Sequence, residues 1–163
     1  SAGFYGGDLS VIRQFGLAIY FSGEHSVGSA VVRAASCAWL LSRCSGIAEQ
    51  RQRLSFAPGM AIGVSELGRG DEEDIYPGLY IQAALDDLLA LASEDLDAIV
   101  LSSRAAEDGG LTARMGIDVI DEKWMALGDI SASHLELLER QLLILQRAIF
   151  PADEDTPQGL LPF

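Results

Sequence analysis

Residues 16–44 read GLAIYFSGEHSVGSAVVRAASCAWLLSRC, and two apolar periods follow one another within them. Leu17 to Phe21 is an unbroken apolar run of strand length, bounded by Gly16 and Gly23. A run without alternation suits a strand covered on both faces. From Ser26 to Cys44 the period changes: Val27, Ala30, Val31, Ala34, Ala38 and Leu41 recur at the spacing of one helical face. Ser26 stands where the N-cap of that helix is expected. A strand that hands over to a helix within a few residues is a building unit of an α/β or α+β domain.

Farther along the chain the same two periods return. Met60 to Val64 is a short strand candidate. Leu79 to Ala92 carries Ala84, Leu85, Leu88 and Leu91 on one side with Asp86 and Asp87 opposite, so it reads as a helix. Ala98 to Leu101 is a second buried-type run, and Ile117 and Val119 alternate with Asp118 as in an edge or half-exposed strand. The last helix has the clearest pattern. Ser133 and Glu136 form a capping box; Leu135, Leu138, Leu142, Leu145 and Ile149 step by three and four; Pro151 ends the run. The expectation is one α/β or α+β domain over residues 1–150. Its mixed sheet is covered by about three helices, the last (131–150) long and amphipathic. Residues 151–163 form an acidic, proline-containing tail.

Composition narrows the function classes. The 163 residues are 49% hydrophobic and 21% charged, a globular balance. Eleven basic residues against 24 acidic ones leave a net charge of -13. That field repels phosphate backbones and anionic membranes. The longest apolar-rich stretch, 27–41, is broken by Arg33 and is shorter than a bilayer span. No basic stretch leads into an apolar core as in a signal peptide, so a cytoplasmic location is expected. The chain opens Ser1-Ala2-Gly3 without Met, as a processed or trimmed product or a cloning remnant would.

Few residues could carry chemistry. Cys37 and Cys44, seven apart in one helix, lie about 10 Å apart along its axis. This is too far for a disulfide and unlike a zinc knuckle, so both read as small core residues. Gly23 and Gly28 frame a phosphate-loop spacing, but Ser29 stands where lysine would be needed. The run Glu24-His25-Ser26-Val27-Gly28 resembles the nucleophile elbow of the α/β-hydrolases, a strand–turn–helix carrying Gly-x-Ser-x-Gly. The resemblance implies Ser26 as nucleophile and the Val27 amide as an oxyanion donor. By the family's order of serine, acid and histidine, it implies Asp108 and His134 as partners. The chain departs from the pattern at Glu24, which replaces the first glycine, and in having only 25 residues before Ser26.

Carboxylates cluster at Asp71, Glu72, Glu73 and Asp74 in a glycine-rich segment, and at Asp86 with Asp87. None follows a calcium-loop pattern, and no metal or cofactor is expected. With only His25 and His134 as histidines, the leading expectation is a non-catalytic, acidic protein-binding domain: an immunity-type inhibitor, a secretion chaperone or an adaptor. Asp71 to Asp74, Asp86 and Asp87 would steer a basic protein surface toward it. The alternative is a small serine hydrolase built on Ser26, Asp108 and His134. Leu137, Leu143 and Ile144 widen the apolar surface of the last helix, which suggests a homodimer through it.

Overall fold

The computed structural model describes residues 4–12, 16–23, 25–52, 58–65, 79–93, 97–122 and 124–150. The elements run β1 (Gly7–Ile12), β2 (Gly16–Phe21), α1 (Ala30–Gln52), β3 (Met60–Ile62), α2 (Leu79–Ala92), β4 (Ile99–Ser102), α3 (Ser103–Ala106), α4 (Gly109–Thr112), β5 (Met115–Val119), β6 (Trp124–Ile130) and α5 (Ala132–Ile149). Four strands form a mixed sheet in the order β3-β4-β6-β5, and β1 pairs with β2 in a separate ribbon. The chain is thus the α+β domain that the alternating periods imply. β3 and β4 are parallel and joined through α2, as a parallel pair requires a crossover. β6 runs antiparallel to both of its neighbours.

The register assigns the faces. Leu101 lies opposite Met125 and Ile117 opposite Leu127, so these four side chains share one face. They join the main core with Val32, Ala35, Cys37 and Leu40 of α1 and Leu138 of α5. Ala61, Val100 and Ala126 share the other face, with Val100 and Ala126 buried. On that side Leu88 of α2 lies against Gly63, two residues past Ala61. Helices α1 and α5 therefore cover one face and α2 the other.

Three local expectations need correction. The apolar run at Leu17 to Phe21 is a strand, but it is not covered on both faces. Among the described residues it pairs only with β1, in a two-stranded antiparallel ribbon; none of its residues is fully buried, and Leu17 at its start is 68% exposed. Ile19 and Phe21, on the same side of the ribbon, pack on the core.

The first helix begins at Ala30, not Ser26, and continues to Gln52. The Gly28 amide donates to the His25 carbonyl at 3.1 Å and closes a turn over residues 25–28. Gly28 has φ +140°, which no helical residue adopts. Ser29 caps instead: its Oγ accepts from the Val32 amide at 3.2 Å.

The last helix begins at Ala132 with Ser131 as its N-cap residue, so Ser133 lies inside the first turn rather than at the head of a capping box. The Ser131 carbonyl accepts the Leu135 amide at 2.9 Å.

Candidate functional site

The polar residues singled out by sequence fall into two separate groups around α1. The first joins two helix starts. Asp108 is the N-cap of α4, and its Oδ1 accepts from the Leu111 amide at 2.8 Å. The same oxygen accepts from the Ser29 hydroxyl at 2.9 Å, while Ser29 caps α1. One carboxylate oxygen thus links two caps that are 79 residues apart in sequence. Gly110 makes this approach possible. A Cβ there would lie 3.1 Å from Asp108 Oδ1, 3.2 Å from Ser29 Oγ and 3.3 Å from Val32 Cγ2.

The second group is buried between the N-terminal segment, α1 and α5. Arg33 is 1% exposed. Its Nη1 donates to the Tyr5 carbonyl at 2.9 Å, and its Nη2 donates to the carbonyls of Ser22 at 3.0 Å and Gly23 at 2.8 Å. Tyr5 precedes β1, whereas Ser22 and Gly23 follow β2, so one guanidinium holds both open ends of the ribbon against α1. It also lies 5.9 Å from the centre of the Phe21 ring, within cation–π range. Its Nε has no hydrogen-bond partner among the described residues.

Below it, the Tyr5 hydroxyl donates to Gln141 Oε1. Ser36 Oγ lies 3.1 Å from His134 Nε2. Burial raises the pKa of the Tyr5 phenol, with the Ser36 and Gln141 contacts acting against it. Burial, with the Arg114 charge as the lesser cause, pulls the His134 pKa below its ordinary value of 6.5. A neutral imidazole held against a serine inside the core is a packing and hydrogen-bonding feature that joins α1 to α5.

The hydrolase candidates are placed as follows. Ser26 is exposed, within the turn that precedes α1. The Val27 amide, cast as an oxyanion donor, points at His25 Nδ1 at 3.2 Å. Asp108 meets Ser29, and His134 meets Ser36. Among the described residues no hydrogen bond links Ser26, Asp108 and His134 to one another. Of the acidic candidates, Asp86 and Asp87 are exposed on α2; Asp71, Glu72, Glu73 and Asp74 lie outside the described residues. Among the described residues no three His, Cys, Asp or Glu side chains gather to hold a metal ion, and no helix is long and apolar enough to cross a membrane. Neither cysteine is in a disulfide, and burial raises the Cys44 pKa.

Sequence reading missed the Arg33 hub. Its signal was visible as the one charged residue in an apolar helical stretch, but its acceptors are main-chain carbonyls, which no side-chain pattern announces. Compared with protein-family models, with curated proteins and with solved structures, the chain gives no significant match.

Proposed function

We propose that this chain is a non-catalytic, acidic protein-binding domain, of the immunity-type inhibitor, secretion chaperone or adaptor kind, that recognises a basic protein surface. The observation that supports this reading best is where the reactive side chains are engaged. Asp108 caps helices, His134 meets Ser36 inside the core, and the Val27 amide beside Ser26 is turned to His25. A triad needs its nucleophile, base and acid within hydrogen-bond reach of one another. With a net charge of -13, the folded chain attracts a cationic partner from a distance, and the exposed Asp86 and Asp87 add to that field.

Self-association through α5 is the second part of the proposal. Leu143 and Ile144 are 55% and 67% exposed on that helix, and Leu137 is exposed beside them. The helix carries Glu136, Glu139, Arg140 and Arg147, two charges of each sign. Like-charge repulsion between two copies is therefore low along this surface.

Two measurements test the function. The first is intact-protein mass after treatment with a fluorophosphonate probe. The second is identification of the protein cross-linked to the chain in the cells that make it. The expected results are no adduct and a partner of basic surface. An adduct on Ser26 that is lost in Ser26→Ala, or an acidic partner, overturns the reading.

A further inference from the structure

We infer that the outer edge of β5 is a docking strand, beside which an extended basic segment of a partner protein adds as a further strand. The inference rests on the reading that the chain meets a basic protein, but it uses a different surface from the acidic face of α2. Helix α2 packs over β3 and β4, whereas β5 closes the opposite end of the sheet.

Three observations carry it. The first is the open edge. β5 pairs only with β6, and among the described residues no strand lies on its other side. The main-chain bonds flanking it lead elsewhere: the Arg114 carbonyl accepts from Ser131, and the Asp121 amide donates to Trp124. An edge of this kind offers unpaired N–H and C=O groups to another chain.

The second is exposed apolar surface at the end of the strand. A bulge at its start and Asp118 guard part of the edge, yet Val119 is 73% exposed and Ile120, just past the strand, 51%. A register shift between Met115 and Ile117 disturbs the start of the strand and leaves 117–119 as its regular part.

The third is charge. Between residues 115 and 131 there are four carboxylates, Asp118, Asp121, Glu122 and Asp129, and one base, Lys123. All four carboxylates are exposed, and the Asp118 carboxylate lies over Gly128 of β6. The nearby Arg114 guanidinium donates to the Gly110 carbonyl at 3.0 Å.

Charge selects the occupant. A second copy pairing edge to edge would bring the same carboxylates together, and like charges across a strand pair are destabilising. A segment that alternates lysine or arginine with branched apolar residues meets both demands. Its main chain pairs with β5, its apolar side chains lie on the face of Val119, and its cations lie on the opposite face with Asp118.

The test uses a capped nonapeptide of alternating lysine and valine, with a glutamate–valine peptide of equal length as control. Binding is read by fluorescence anisotropy and by amide hydrogen exchange. The lysine peptide is expected to slow exchange within 116–120. Val119→Lys with Ile120→Lys, both at exposed positions, is expected to weaken its binding at least tenfold. Asp87→Lys on α2 is expected to change it less than twofold, and the glutamate peptide is expected not to bind. Unchanged affinity in the Val119→Lys/Ile120→Lys variant, or protection confined to α2, overturns the edge assignment. If the cross-linked basic partner binds wild type and that variant equally, the edge assignment fails while the function proposed above stands. If the cross-linked partner is acidic, the function proposed above fails, and the peptide result still decides the edge on its own.

Discussion

Replacing Asp108 by alanine separates a structural role for this carboxylate from a catalytic one. The substitution removes the α4 cap on the Leu111 amide, a loss of about 1 kcal/mol. It also removes the charged acceptor of the Ser29 hydroxyl, and hydrogen bonds to charged groups contribute about 1.5–3 kcal/mol. Both bonds are only part-buried, which favours the lower end, so Asp108→Ala is expected to cost about 2–3 kcal/mol. For a chain of this size that corresponds to a fall in Tm of about 5–10 °C. Ser29→Ala removes the α1 cap and the same link, and is expected to cost about 2–3 kcal/mol. Because the two side chains share one hydrogen bond, the double variant should cost less than the sum of the singles by about 1 kcal/mol. The assay is urea unfolding followed by circular dichroism and tryptophan fluorescence, with the urea slope unchanged among the variants. An Asp108→Ala cost under about 0.5 kcal/mol, or costs that simply add, would refute the shared cap.

Other expectations follow from the buried group and the exposed helix. His134 is held neutral, with a folded pKa below 6.5. As pH falls below 6.5 the unfolded chain takes up a proton that the folded chain refuses. Stability is therefore lost from that pH down to the folded pKa, with a slope of at most about 1.4 kcal/mol per pH unit; above 6.5 this group has no effect. Subtracting the profile of His134→Gln from that of the wild type isolates this slope from the carboxylates, and a flat difference would contradict it. Arg33→Met leaves three carbonyls without their donor and is expected to cost about 3 kcal/mol, with faster amide exchange in β1 and β2. A loss below about 0.5 kcal/mol would show that the hub is dispensable. Light scattering over a concentration series is expected to show mass rising above 17.4 kDa, and Ile144→Lys is expected to abolish the rise. A constant 17 kDa particle disposes of the dimer.

Much of the fold was legible because it depends on local period. The α2 boundaries at Leu79 and Ala92, β3, β4, β5 and the body of α5 follow directly from apolar spacing. Elements that depend on a partner were not legible. In β6, Gly128 and Asp129 interrupt the apolar pattern of Trp124 to Leu127, and pairing with both β4 and β5 secures the strand. β1, beginning Gly7-Asp8, is a strand through its pairing with β2. The four-residue helices α3 and α4 are too short to show a period, and side-chain caps from Ser102 and Asp108 define their starts.

The helix starts were misplaced because several serines compete for each cap. The turn closed at Gly28 excludes Ser26, and the main-chain bonds at Ser131 move the α5 start ahead of Ser133. The candidate site was less legible still. Asp108 and Ser29 are 79 residues apart, and Ser36 and His134 are 98 apart. Only folding shows that each pairs with a residue other than the one the elbow pattern suggests.

The claim that electrostatics bring a basic partner to this acidic surface is tested most directly by association kinetics with the cross-linked partner at about 20 mM and about 500 mM salt, where the Debye length contracts from tens of ångströms to a few. The association rate is expected to be at least tenfold lower at high salt, with the dissociation rate changing by less than about threefold. An association rate indifferent to salt would contradict it.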